Sequence, residues 1–335
     1  MRPTVGILAN PASGKDIRRL VASASVFDNR EKLSIVRRAI LGAVAAGIDD
    51  FVYMPDGHGI VASAFADIGE DVRFAALDSP ATHSALDTTR VAERMREHGV
   101  ACVLTLGGDG TNRAFALGWR DAPLVAVSTG TNNVFPKMVE GTIAGAAAGL
   151  VASGQVALHE ASRQVKVVHV QIDGEKDDLA LIDAVLLDEA FVGARAIWNP
   201  ARLRTIVLAR AEPSAVGISA IGGLLHPVPD TADVGLLVEA GGAGDAVIAP
   251  IAPGLYSSVP VREVRELALG EVVEFVGPGM LALDGERERR LRPGMVARLA
   301  VRRDGPRAVD VPLVMRLAAC RGLFRVAQSE ATDGD

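Results

Sequence analysis

VACVLTLGGDGTNRAFA, residues 100–116, decides how this chain is read. Its first five residues form an apolar run with the composition of a buried strand, and the stretch after Gly110 has helical character. Between them, Gly107, Gly108 and Gly110 surround one carboxylate, Asp109, at the strand's carboxyl end. Glycine lets backbone N–H groups approach a phosphate closely, so this turn suits an anion, although a tight strand-to-helix turn needs glycine for shape alone. The segments on either side decide which reading prevails.

Strand-like and helix-like stretches alternate through the first third. Strands are expected at 4–10, 50–55, 72–77, 100–107 and 124–129, and helices at 31–47, 58–69 and 83–98. Helix 31–47 is read from Leu33, Val36, Ile40, Leu41 and Val44, with Gly47 closing it. Such alternation implies parallel pairing in an open doubly wound sheet, whose ligands bind beyond the carboxyl ends of the strands. Two further loops belong at that edge, NPASGK (10–15) and STGTNN (128–133), each pairing glycine with small hydroxyl or amide residues. Three such loops on one edge favour a nucleotide. The candidate nucleotide-binding residues are Asn10, Ser13, Gly14, Lys15, Gly107, Gly108, Gly110, Thr111, Thr129, Gly130, Thr131, Asn132 and Asn133.

After Pro136 the pattern changes. Residues 138–153 read as one Ala-rich helix ending at Gly154, and from 165 short β-like runs alternate with Gly/Pro/Asp turns. The expected fold is therefore α/β, with an N-terminal doubly wound parallel domain (1–136) and a β-rich domain (137–304) for substrate or oligomerisation. The tail, 305–335, is expected to pack back on the first domain. With 335 residues, two domains are the default.

Composition excludes several classes. Hydrophobic residues make up 49% and aromatics 4%, an Ala/Val/Gly-rich globular balance, and no run reaches the roughly 18 apolar residues of a membrane span. The N-terminus lacks a secretory apolar core, so a cytoplasmic protein without membrane partners is expected. A net charge of −6 argues against a nucleic-acid binder. Cys102 and Cys320 lie far apart in apolar stretches and read as buried small hydrophobes; the histidines show no metal-ligand spacing, and no protein-held metal is expected.

The familiar phosphate motifs fail. A P-loop would need Gly at Ala9 and Ser or Thr at Asp16, and the dinucleotide fingerprint would need Gly at Arg113. A carboxylate inside a phosphate loop makes sense if Asp109 takes a proton from an attacking hydroxyl or helps hold Mg2+ on the phosphates; alternatively it caps the following helix.

GGDGT following an N-terminal NPASGK resembles the NAD kinase/diacylglycerol kinase superfamily. The series NPASGKDIRRLV, YMPD, GGDGT, STGTNNVFP and DEAFVGARA is most similar to the acetoin-catabolism protein X branch of the ATP-NAD kinase family. The resemblance spans most of the chain and implies a NAD kinase-like fold. It also implies ATP in the cleft between domains, Mg2+ carried by the nucleotide phosphates, and Asp109 as general base toward a hydroxyl of NAD(H) or a related small metabolite. Self-association into a homo-oligomer is a further implication.

Asp188 and Glu189 (of DEAFVGARA), Ser219 (of GISAIGGLLHPV), and Asp284 and Glu286 (of LALDGE) resemble family substrate-binding segments. Read as residues, these pairs are equally solvated loop acids or, for LDGE, a hairpin turn. Asp56, in MPDGHG, ends a strand at the same sheet edge and is a further candidate. The chain departs from NAD kinases where Asp188-Glu189 replaces Asn-Glu and where AVGISAIGG replaces a tyrosine-bearing substrate turn. Three functions stay open: a small-molecule kinase, a lipid kinase, or a non-catalytic nucleotide-binding accessory protein.

Overall fold

The computed structural model describes residues 2–14, 28–66, 68–69, 71–130, 132–188, 200–242 and 245–325. Its first unit runs β1 (Thr4–Ala9), α1 (Asn29–Ala45), β2 (Asp50–Tyr53), α2 (Ile60–Phe65), β3 (Arg73–Ala76) and α3 (Ala85–Glu97). It continues through β4 (Cys102–Gly107), α4 (Asp109–Gly118), β5 (Pro123–Ser128), α5 (Gly141–Ala152), α6 (Leu158–Ala161) and β6 (Ser162–Gln164). The β-rich unit follows with β7 (Val167–Ile172), β8 (Asp178–Ala180), β9 (Asp183–Leu187), β10 (Leu203–Leu208), α7 (Ile218–Leu225) and β11 (Val234–Ala240). Then come β12 (Ala246–Ala252), β13 (Leu255–Ala268), β14 (Val272–Val276), β15 (Gly279–Leu283), β16 (Glu286–Leu291) and β17 (Val296–Arg302). Finally β18 (Arg307–Val309) and α8 (Val311–Cys320) return to the first unit.

Strand order in the first sheet is β3-β2-β1-β4-β5-β18-β6. Pairing is parallel from β3 to β18, and only β6 runs antiparallel. Both β1 and β4 are buried at every residue, as strands covered on two faces must be. Period-two alternation divides them: Val5, Ile7 and Ala9 face one core with Cys102, Leu104 and Leu106, while Leu8 and Val103 face the other. The first core is closed by α1, α2, α5 and α8. Into the second reach Leu179, Leu181 and Ile182 of the β-rich unit, beside Phe115, Val134 and Phe135.

The β-rich unit is a sandwich. A seven-stranded sheet, β12-β13-β11-β10-β9-β15-β16, faces a four-stranded one, β14-β17-β7-β8, with antiparallel pairing throughout. Ala184 and Leu186 of β9 face the core between the sheets, whereas Val185 and Leu187 face the opposite side, where Ile218 and Ile221 of α7 cover them.

Three expectations need correction. The helix expected to open the β-rich domain, α5, packs in the first core against α1, and β6 joins the first sheet. In sequence the apolar run LALIDAVLL (179–187) reads as one strand, but it divides at Leu181-Ile182 into β8 and β9, which belong to different sheets. Pro250 is tolerated within β12 because β12 is an edge strand. Cys320 is exposed while Cys102 is buried, because Cys320 ends α8 on its solvent side. Among the described residues, no helix is long and apolar enough to cross a membrane.

Candidate active site

The chain leaves β1 toward β2 and β3 and later returns to the other side of β1 as β4. That reversal is a topological switch point, where the loops beyond the strand ends diverge and open a crevice. The loops after β1 and β4 are NPAS and GGDG, and the loop after β5 lies next in the sheet.

Side chains tie the three loops together. Asn10 donates through Nδ2 to Thr111 Oγ1 at 2.9 Å and accepts from the Ala12 amide at 2.9 Å. Ser13 donates to the Asn10 carbonyl, and Thr129 Oγ1 donates to Ser13 Oγ at 2.9 Å. Asn133 Nδ2 donates to Ser128 Oγ at 2.8 Å and Ser128 Oγ to the Gly130 carbonyl at 2.8 Å. The double glycine follows from this closeness: a Cβ on Gly107 would stand 2.6 Å from Thr111 Cβ, and one on Gly108 2.8 Å from Asn133 Oδ1. Beneath the first loop, Lys32 is fully buried and its Nζ donates to the carbonyls of Asn10, Pro11 and Ser13 at 3.0, 3.0 and 2.7 Å.

Asp109 opens α4, whose N-cap Gly108 supplies no side-chain cap. The first-turn amides of a helix have no intrahelical acceptor, so this uncapped end suits a phosphate. The Asp109 carboxylate turns instead to the loop after β5, accepting from the Phe135 amide at 2.8 Å and the Val134 amide at 3.0 Å. With both amides it orients the third loop.

From the β-rich unit, Asp284 meets this cluster. Asp284 and Gly285 have φ of +49° and +79°, as the two central residues of the tight turn joining β15 to β16, and the Asp-Gly pair suits that conformation. The turn buries the Asp284 carboxylate against the β8–β9 break, where it accepts from the amides of Leu181, Ile182 and Asp183 at 2.9, 2.7 and 3.3 Å. Burial, with the charge of Asp109 adding to it, pushes the Asp284 carboxyl up to about 7, while Arg113 and the Leu181 and Ile182 amides oppose the rise. Arg113, on α4, crosses between the units: Nε donates to the Leu179 carbonyl at 2.6 Å and Nη2 to Asp178 Oδ1 at 2.7 Å.

The remaining candidates fall elsewhere. Asp56 accepts from the His58 and Ile60 amides at 2.9 Å each and so caps the start of α2. Ser219 is buried in α7, donating to the Arg210 carbonyl and accepting from the Glu212 amide, both at 3.1 Å, which leaves its hydroxyl engaged within the chain. Asp188 is exposed at the far end of β9, about 17 Å along the strand from Asp183 at the rise of an extended chain. It therefore does not join Asp109 and Asp284. Lys15, Thr131 and Glu189 lie outside the described residues, as does the side chain of Glu286. Gly14, with φ +68°, follows Ser13 in the first loop, Gly110 lies in the first turn of α4, and Asn132 approaches Gly217 before α7.

Three participants escaped the sequence reading. Lys32 stands on the same helical stripe as Val36, Ile40 and Ala43, and a lysine on an apolar stripe was the signal. Arg113 stands where a dinucleotide fingerprint would have glycine. Arg210 lies two residues beyond the apolar strand β10, is 6% exposed, and holds its guanidinium carbon 5.7 Å from the centre of the Phe135 ring.

The ATP-NAD kinase N-terminal domain family matches residues 5–156, and the acetoin catabolism protein X C-terminal domain family matches residues 166–304. Acetoin catabolism protein X of Cupriavidus necator is 37% identical over 347 residues, covering 99% of this chain and 97% of that protein. Among solved structures, yeast NADH kinase complexed with NADH aligns at TM-score 0.49 and 14% identity, covering 99% of this chain and 90% of that one. A diacylglycerol kinase from Bacillus anthracis aligns at TM-score 0.47 and 13% identity, with 92% and 96% covered. With a NAD kinase-like α/β domain followed by the matching β-rich domain, the chain belongs to the acetoin catabolism protein X family of ATP-NAD kinase-like proteins.

Proposed function

We propose that this protein transfers the γ-phosphoryl group of ATP to a hydroxyl of a small metabolite, NAD(H) or a related compound being the first candidate. One observation carries the reading: three loops at the switch point are bonded into a single edge around Asp109, and a second carboxylate, Asp284 of the β-rich unit, lies near enough for the Asp109 charge to act on it. The uncapped start of α4 and the amides after β5 suit phosphate oxygens, and positioning with charge neutralisation is most of what phosphoryl transfer requires.

In this reading a divalent cation arrives on the nucleotide phosphates. Mg2+ bound there would neutralise charge on the transferred group. The acceptor's O–H proton passes to the Asp109 carboxylate, its oxygen forms the new P–O bond, and the bond to the β-phosphate oxygen breaks to release ADP. The Val134 and Phe135 amides hold the Asp109 carboxylate in one orientation during this step.

A second reading has its own support. With both oxygens of Asp109 engaged by those amides, the residue is sufficient as a brace, which favours a nucleotide-binding accessory protein without turnover. A lipid acceptor is the third candidate, drawn from the diacylglycerol kinase resemblance.

ATP consumption with Mg2+, measured against NAD, NADH, diacylglycerol and small alcohols beside Asp109→Asn, separates them. A kinase should turn over one acceptor and lose about 100-fold or more in kcat in the variant, with ATP affinity kept. No turnover by either protein, with nucleotide binding intact, would overturn the kinase reading in favour of the accessory one.

A further inference from the structure

Arg210 carries a demand that no described residue meets. The residue is 6% exposed, yet among the described residues its Nε and Nη2 have no hydrogen-bond partner, while Nη1 approaches Glu212 Oε1 at 3.5 Å. Nε–H and Nη2–H form the side edge of the guanidinium, two parallel donors at the spacing of the oxygens of a carboxylate or phosphate. Burying such an edge without an acceptor is unfavourable, and an unmet donor pair is stable only where something else comes to accept from it.

A second buried cation stands within reach of its charge. Lys166, 1% exposed, lies close enough for the Arg210 charge to bear on it; burial, assisted by Arg303 and Arg210 against Asp230 and Asp233, pulls its ammonium down to about 8. Its Nζ donates to the carbonyls of Pro229 and Val234, which bring no negative charge. The guanidinium also has a defined place relative to the chemistry. It stacks over Phe135, whose own amide donates to Asp109, so one residue links the unmet edge to the proposed base. Its backbone is held by Ser219, at the start of α7, opposite the loop after β5.

We infer that the Nε/Nη2 edge of Arg210 binds an oxyanion of the phosphate acceptor, so that the acceptor is a hydroxyl-bearing acid or phosphate ester rather than a neutral alcohol. The inference rests on the kinase reading for the hydroxyl's place at Asp109, while the anion site stands on Arg210 alone. Charge on the acceptor then sets selectivity from the β-rich side, and the switch-point loops hold the nucleotide from the other.

Calorimetric titration of the full chain tests this with glycerate and glycerol 3-phosphate as anionic probes and glycerol as the neutral one. Each is measured with and without Mg2+ and a non-hydrolysable ATP analogue, for wild type, Arg210→Met and Arg210→Lys. At least one anionic probe should bind wild type about tenfold or more tighter than glycerol. Arg210→Met should abolish that preference and leave the affinity for the ATP analogue unchanged. Arg210→Lys, which keeps the charge and loses the fork, should fold as wild type and recover only part of it.

Three results overturn the inference: no anion preference in wild type, a preference that survives in both variants, or a loss of ATP-analogue affinity in Arg210→Met, which would assign the edge to the nucleotide. If the ATP analogue fails to bind while the anion preference still depends on Arg210, the kinase reading falls and the anion site stands.

Discussion

Two carboxylates more than 170 positions apart in the sequence share one charged neighbourhood, and their environments differ in kind. Asp109 is held by the amides of a loop, and Asp284 is buried against a strand break with Asp109 and Arg113 both acting on it. Because the folded Asp284 carboxyl is raised from 3.8 to about 7, the native state binds more protons than the unfolded chain between those values. Its contribution to stability is therefore complete below about pH 4 and is lost as pH rises through 7. Urea denaturation of wild type and Asp284→Asn at pH 4.5, 6 and 8 should show the wild-type advantage shrinking steadily with pH. Parallel profiles for the two proteins would mean that Asp284 stays ionised throughout. In sequence, Asp284 was legible as a hairpin residue and, through family resemblance, as a site candidate; its proximity to Asp109 was not, since nothing local records which strand β15 joins.

At the scale of elements, α1 and α5 pack backbone against backbone. Gly141, Gly145 and Gly149 form one face of α5, four residues apart, and meet Ile35, Ala39, Ala43 and Ala46 of α1 and its C-cap. A Cβ on Gly145 would lie 1.8 Å from the Ala39 carbonyl oxygen, a backbone atom that cannot swing aside. Gly145→Ala should thus cost about 3 kcal/mol despite alanine's better helix propensity, by forcing two helices apart. Gly69→Ala, where the added methyl meets nothing within 4 Å, should stay within about 0.5 kcal/mol. Equal effects in denaturant titrations of the two variants would refute close packing as the reason. Composition marked α5 as an Ala-rich helix, but its partner was hidden: residues of this kind fit any close neighbour, and only the assembled sheet presents α1.

Across the whole molecule, Arg113 binds the two units at the site itself. The pair with Asp178 is nearly buried on both sides, and Arg289 approaches the same acid at 3.5 Å. Arg113→Met leaves Asp178 and the Leu179 carbonyl short of their donor, for an expected loss of about 3 kcal/mol. Because the pair crosses between units, the variant's denaturation should also broaden or split when followed separately in each. A uniform, single-step loss would show that Arg113 supports α4 alone.

Local pattern by itself determined the alternation of strands and helices, and hence the parallel sheet and the strand ends where GGDGT, NPAS and the 128–133 loop emerge. Those features depend on residues within a few positions of one another, which periodicity records. Only the tertiary structure decided that Asp284 stands with Asp109 while Asp188 lies at the opposite end of β9, and that Arg113 and Arg210 turn inward. Asp284 meets the Ile182 amide across 102 positions of chain, and strand order and register across such a span are set by which buried surfaces fit together.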